Sequence, residues 1–213
     1  MYLAKTPTLI YKIYNSKDLW RVETSENNIY LTFDDGPVPE ITPWVLDMLD
    51  TFEAKATFFC VGENAMRNPE ILQDIIRRKH TVGNHTYNHM RSWKSEPEDY
   101  FENVVKCADY FNTTLFRPPY GKVSPNKHKL LKKHFNLVYW TVLSGDFDQS
   151  ISPEKCLENA ITSVEKGSIV VFHDSIKAKK NLYYTLPAFL DHFHKKGFNF
   201  KAIPYDLSEL PTT

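Results

Sequence analysis

A chain of 213 residues is long enough to bury a substantial core and fits one large or two small domains, and no linker-like stretch favours two. Lys+Arg and Asp+Glu balance at 26 each, so no electrostatic footprint points to nucleic acid or to an anionic membrane surface, and a neutral substrate is expected. Cys60, Cys107 and Cys156 are an odd set without C-x-x-C spacing, which argues against a disulfide framework or a cysteine metal site and predicts reduced, mostly buried thiols.

The segment Met1 to Lys12 lacks the basic start, long apolar core and small-residue cleavage site of a signal peptide, and no window approaches the ~20 apolar residues of a membrane span. Cytoplasmic is the default expectation, beside an exported form. From there, short apolar runs alternate with amphipathic helical patterns, the signature of βα units around a parallel sheet or barrel. The predicted strands are Ile29 to Phe33, Ala56 to Val61, Thr81 to Gly83, Thr114 to Arg117, Leu137 to Leu143, Ile169 to His173 and Phe198 to Ile203.

Asn68-Pro69, Ser124-Pro125 and Ser152-Pro153 each put a capping residue before a proline at the first helical position. Ser95-Glu96-Pro97-Glu98 has capping-box spacing, and Gly167 and Gly197 follow Lys-bearing segments as helix-terminating glycines should. Seven such repeats are one short of an eight-fold barrel, so the expected α/β architecture is a distorted or incomplete (β/α) barrel with about seven parallel strands. A doubly wound open sheet is the alternative.

Polar motifs fall just after the ends of different predicted strands, where parallel α/β folds gather catalytic groups. Asp34 and Asp35 end the first strand, and Gly36-Pro37 breaks it at once, which would let both carboxylates reach one site; a solvated Asp-Asp-Gly turn is the plainer reading. His85 and His89 are four apart, so both can face one ion from a helical turn or a curled loop, although His pairs at this spacing also arise by chance. A carboxylate and two imidazoles suit zinc or a similar divalent ion, and three protein ligands leave a position open for water.

Arg117-Pro118-Pro119-Tyr120-Gly121 is stiffened by two prolines, so Arg117 can hold a carboxylate in fixed orientation and a backbone N–H near Tyr120 can face an oxyanion; a rigid turn is the other reading. His173-Asp174 ends the sixth predicted strand and Asp146 follows the fifth. A carboxylate beside His173 would raise its pKa and keep it protonated as a general acid, against the commoner fate of a satisfied core histidine. His80, His128, His134, His192 and His194 have no comparable companions and are assigned no role.

The ordered motifs Thr32 to Pro37 (Thr-Phe-Asp-Asp-Gly-Pro), His85 to His89 (His-Thr-x-x-His), Arg117 to Gly121, Trp140 to Asp146 (Trp-x-Val-x-Ser-x-Asp) and Val171 to Asp174 (Val-Phe-His-Asp) resemble the polysaccharide deacetylase family, also called the NodB homology domain or carbohydrate esterase family four. The resemblance covers about Asn28 to Ile203, with residues 1–27 as an N-terminal extension of a single domain. It implies a distorted barrel and metal-dependent hydrolysis of an acetyl group, usually the N-acetyl of N-acetylglucosamine units and sometimes an O-acetyl ester on xylan. Asp35, His85 and His89 match the family's metal ligands, with Zn²⁺ the expected ion and Co²⁺, Ni²⁺ or Mn²⁺ as alternatives. Asp34 matches its base, His173 its acid, Arg117 the residue that orients the base and Asp146 the one that tunes the acid. A carbohydrate partner follows, and no nucleic acid.

The fourth motif departs from the family's Asp-x-x-Asp-Trp, reading Leu143-Ser144-Gly145-Asp146-Phe147, and Val171 stands where leucine is usual. Both apolar walls of the acyl pocket, Phe147 and Val171, are therefore altered, with Pro119 and Tyr120 also expected to bind substrate, and a methylene in such a pocket is worth roughly 1 to 3 kcal/mol of selectivity. Trp93 and Tyr87 are candidates for a sugar-stacking wall, beside a core or loop-anchoring role. Two other readings stay open: hydrolysis of O-acetyl esters or another non-peptide carbon-nitrogen bond on the same scaffold, and a catalytically silent glycan-binding protein.

Overall fold

The computed structural model describes residues 3–7 and 18–210. Residues 1–2 and 8–17 of the N-terminal extension, with most of the segment read for a leader, lie outside the described residues. Among the described residues eight strands run in chain order: β1 (Asn28–Asp34), β2 (Thr57–Cys60), β3 (Thr81–Asn84), β4 (Leu115–Phe116), β5 (Asn136–Leu137), β6 (Val142–Leu143), β7 (Ile169–His173) and β8 (Asn199–Lys201). Among them lie helices α1 (Ile41–Thr51), α2 (Gly62–Arg67), α3 (Pro69–Arg77), α4 (Pro97–Ala108), α5 (Pro125–Leu131), α6 (Pro153–Ile161) and α7 (Lys179–Lys195). No helix among the described residues is long and apolar enough to cross a membrane.

Every strand pair is parallel, in the order β5-β4-β3-β2-β1-β7-β6, with β8 beside the lower half of β1. β1 is buried along its whole length, as a central parallel strand covered on both faces must be. Its pleat sorts two cores. Ile29, Leu31 and Phe33 join Phe58, Val170 and Phe172 under the helices, whereas Tyr30 joins Phe59, Leu115, Val138 and Ile169 inside the curl of the sheet. Thr32 and Asp34 continue the inner row upward, so the interior changes from apolar to polar toward the strand ends.

The predicted strand Leu137 to Leu143 is two strands, β5 and β6, and they lie at opposite edges of the sheet. Val138 to Thr141 therefore carry the chain from one edge to the other and close the distorted barrel. The described N-terminal residues supply hydrogen bonds that this irregular stretch lacks: Tyr139 N–H donates to Leu19 O at 2.8 Å, Thr6 N–H to Thr141 O at 2.9 Å and Leu143 N–H to Ala4 O at 2.8 Å. Trp20 stacks on Tyr139 with ring centroids 4.2 Å apart.

Helices begin at Pro69, Pro125 and Pro153 as expected, but of these three only Ser152 caps with its side chain, accepting from Lys155 N–H at 3.2 Å. The capping box at Ser95 does not form: Glu96 takes the N-cap position of α4, and the Ser95 hydroxyl donates backward to Arg91 O and Ser92 O. Gly197 follows α7 with φ 75°, while Gly167, at the same φ, lies in the turn before β7 rather than at the end of α6. All three cysteines are buried free thiols.

Candidate active site

The ends of β1, β3, β4 and β7 and the loop after β6 bring the predicted polar residues together. At the tip of β1 the backbone of Asp35 turns left-handed, with φ 84°, immediately after Asp34 completes the strand. That reversal, together with the Gly36-Pro37 break, brings Asp34 and Asp35 to the same end of the barrel. Asp34 is fully enclosed and meets Arg117, whose Nη1 donates to its Oδ1 at 2.7 Å and to Thr32 Oγ1 at 2.8 Å. Asp35 instead faces the histidine loop.

That loop is curled rather than helical. Thr86 and His89 both take positive φ, 66° and 56°, and the turn is pinned by Thr86 N–H to Asn84 Oδ1 at 2.9 Å and Met90 N–H to Thr86 Oγ1 at 3.0 Å. His89 Nε2 lies 3.3 Å and His85 Nε2 3.8 Å from Asp35 Oδ1. The ligand atoms of the three residues fall within 4.8 Å of one another. Tetrahedral donors around zinc sit about 3.3 Å apart, so the triad is close to a zinc-sized cradle and fits a divalent cation. His85 Nδ1 contacts Arg117 O at 2.7 Å; as the donor there, it would leave Nε2 unprotonated and turned to Asp35. Burial lowers both imidazole pKa values, that of His89 to about 4 with help from neighbouring His85, so the pair is neutral and free to ligate at neutral pH.

Arg117 is wholly buried and organises the barrel interior. Its guanidinium lies over the Phe59 ring at 4.1 Å, and Nε and Nη2 donate to Val138 O at 3.2 Å and Tyr139 O at 3.1 Å. One side chain thus satisfies carbonyls of the irregular closing stretch and holds the Asp34 carboxylate. Burial alone would push the Asp34 pKa up, but the charge and hydrogen bond of Arg117, added to the nearby His85 and His173, together outweigh it and hold the carboxyl below its usual range.

His173 ends β7 in direct register with Asp34 on β1. Asp146, buried in the loop after β6, accepts from the His173 backbone N–H through Oδ2 and faces Nδ1 through Oδ1, both at 2.7 Å. Burial works against the imidazolium, yet the Asp146 carboxylate prevails and raises the His173 pKa to about 9. Asn181 of α7 fixes this loop by donating to Asp146 O at 3.2 Å and Asp148 O at 3.1 Å. Phe147 meets the His173 ring edge-on with centroids 4.9 Å apart, and Val171, two residues earlier on β7, is fully buried on the same side of the strand.

On the metal side of the rim, Tyr120 lies 4.7 Å from His89 and 5.4 Å from Trp93, centroid to centroid, and both Tyr120 and Trp93 are about half exposed. Pro119 is buried, and Tyr120 takes φ 61°. Tyr87 does not join this wall: its ring stacks against Tyr110 at 6.1 Å with Lys106 Nζ 3.8 Å above it, on the helix side of the loop. Two histidines without an expected companion have one. His80 is buried and accepts from Ala56 N–H at 3.1 Å, and His128 Nε2 lies 2.7 Å from Asp18. Thr32 and Asp174 lie inside the quoted motifs and Asn84 and Asn181 outside them, but spacing assigns none of the four a role, because their importance lies in contacts made across the barrel.

A buried acid–arginine pair, an imidazole held protonated and a carboxylate facing two neutral imidazoles define a hydrolase-type site on a distorted (β/α) barrel. The polysaccharide deacetylase family model matches residues 21–136, just over half of the chain. A peptidoglycan-N-acetylglucosamine deacetylase of Bacillus cereus is 30% identical over 191 residues, covering 86% of this chain and 90% of that protein. A chitooligosaccharide deacetylase of Azorhizobium caulinodans is 31% identical, covering 72% and 77%. The crystal structure of the Bc1960 peptidoglycan N-acetylglucosamine deacetylase in complex with 4-naphthalen-1-yl-N-oxidanyl-benzamide superposes with a TM-score of 0.85 at 28% identity, covering 98% of both chains. The chain belongs to the polysaccharide deacetylase family and is a polysaccharide deacetylase, a hydrolase.

Proposed function

We propose that the protein removes the acetyl group from N-acetylglucosamine units of a glycan, with Asp34 as base and His173 as acid. The observation that carries this reading is the register of β1 and β7: the two groups are cross-strand neighbours, one held ionised by Arg117 and the other held protonated by Asp146. Asp35, His85 and His89 would hold a divalent cation, Zn²⁺ by the chemistry of the donor set, which when bound lowers the pKa of water and polarises an acyl oxygen.

Asp34 takes the proton of the attacking water. Its lowered pKa keeps it ionised and so able to accept that proton. Arg117 keeps the carboxylate from rotating as the proton arrives. His173 donates a proton to the departing nitrogen, a step an amide requires because an unprotonated amine leaves far less readily than it re-forms the amide. Asp146 stabilises the imidazolium before transfer and keeps the ring oriented. Phe147 and Val171 border the acid, Tyr120 and Pro119 the metal side, and Trp93 offers an exposed face on which a neighbouring sugar can stack.

The test is acetate release by metal-stripped protein before and after reloading with zinc, on chitooligosaccharides, peptidoglycan glycan fragments and acetyl-xylan. Zinc-dependent release from an N-acetylated glycan is expected. Release from acetyl-xylan alone would establish an esterase, and silence on all three together with binding to a glycan would leave a binding protein. A peptidoglycan substrate would also require the native protein outside the cytoplasmic membrane, which cell fractionation decides.

A further inference from the structure

Asp174, the residue after the proposed acid, has no part in the chemistry above, yet its carboxylate is fully buried and faces no basic side chain among its hydrogen-bond partners. Oδ1 accepts the Gly36 N–H at 3.1 Å and Oδ2 accepts the Thr42 hydroxyl at 2.6 Å. The Thr42 hydroxyl in turn accepts the Val38 N–H at 2.8 Å, and the Asp174 N–H donates to Asp34 O at 3.2 Å. One side chain just past the end of β7 therefore grips the β1 turn at Gly36 and, through Thr42 of α1, again at Val38. Nothing larger than glycine fits at position 36, because a Cβ there would collide with the Asp174 carboxylate.

The residue between the grip points and the strand is Asp35, which carries φ 84°. A non-glycine residue in this region is strained and persists only where its surroundings over-determine it. Asp174 and Thr42 provide that constraint. We infer that Asp174 is a positioning residue that aims the Asp35 carboxylate at His85 and His89 by clamping the Gly36–Val38 turn, with Thr42 as the second half of the clamp. This rests on reading Asp35, His85 and His89 as a metal site.

The experiment measures Zn²⁺ affinity of folded, metal-stripped protein by competition with a chromophoric chelator, so that turnover is not the readout. Asp174→Asn keeps the volume and one carbonyl acceptor, and is expected to weaken Zn²⁺ binding at least tenfold. Thr42→Val, which keeps shape and removes the hydroxyl, should weaken it severalfold, and Thr42→Ser should restore the unaltered value. Leu49→Ala, a core truncation in the same helix, should lower the melting temperature without moving the affinity of the folded protein. Unchanged Zn²⁺ affinity in folded Thr42→Val and Asp174→Asn would overturn the clamp, and if Asp174→Asn does not fold, Thr42→Val against Thr42→Ser decides alone. Failure of the unaltered protein to bind Zn²⁺ would overturn the metal reading and the clamp with it.

Discussion

Asp35, Thr86, His89 and Tyr120 all hold left-handed backbone, whereas across the same mouth His173 sits on a regular strand in register with Asp34. The metal half of the site is aimed by bending the chain, and the acid half by the pleat of a sheet. Left-handed residues cost about 1 kcal/mol or more each, so they depend on the hydrogen bonds of Asn84, Thr86 and Asp174 to stay in place. A strand residue needs no such restraint, only a partner such as Asp146 to set its charge. The metal half should therefore be sensitive to changes in its supports, and the acid half to changes in electrostatics.

The sharpest separation comes from exchanging one residue in each of two roles, metal ligand and base. His85→Ala should abolish both metal binding and acetate release, while Asp34→Asn should keep the metal and lose about a thousandfold in kcat, the scale of a general base. Retained turnover in Asp34→Asn would remove it from the proposed role. Next in size is Arg117→Met, which leaves Asp34 buried without its cation. Breaking such a pair costs roughly 3 to 5 kcal/mol, to be read as a lowered denaturation midpoint together with loss of activity.

The acid half is best addressed through pH. His173 in the folded protein titrates near 9, above an ordinary histidine, so the stabilisation from its pairing with Asp146 is complete below about 6.5 and is lost as pH rises through about 9. The protonated donor disappears over the same interval, and the alkaline limb of kcat should fall at or below about 9, lower where a bound cation adds its charge. Asp146→Asn should move that limb down toward the ordinary histidine value while leaving Zn²⁺ affinity unchanged; a pH–rate profile checks the first and chelator competition the second. The smallest effect belongs to the rim. Trp93→Ala should raise KM for an oligosaccharide severalfold, equivalent to about 1 kcal/mol of stacking, with kcat unchanged. An unaltered KM would remove Trp93 from the binding surface.

Much of this was readable from order and spacing. Strands β1, β2 and β7 are built on short apolar runs, and burial along their length leaves such runs few alternatives. The segment from Leu137 to Leu143 misled because an apolar run specifies burial, not which edge of the sheet a strand joins, and here the two ends of the run join opposite edges. Tyr87 misled for a related reason: proximity in sequence to the histidine loop does not determine which side of that loop a ring packs on. His80 sits in a polar stretch yet is buried, because Ala56 N–H takes its Nδ1 as acceptor.

The sequence by itself determined the family, the parallel α/β class and the identity of the polar residues that gather at the strand ends, because these follow from residue type, periodicity and order along the chain. Only the tertiary structure decided that Arg117 bridges Asp34 and the closing stretch, that Asp34 and His173 share a register, and that Asp174 clamps the turn before α1. Each of those contacts joins residues far apart in sequence, and a hydrogen bond between distant residues leaves no periodic trace in a single chain.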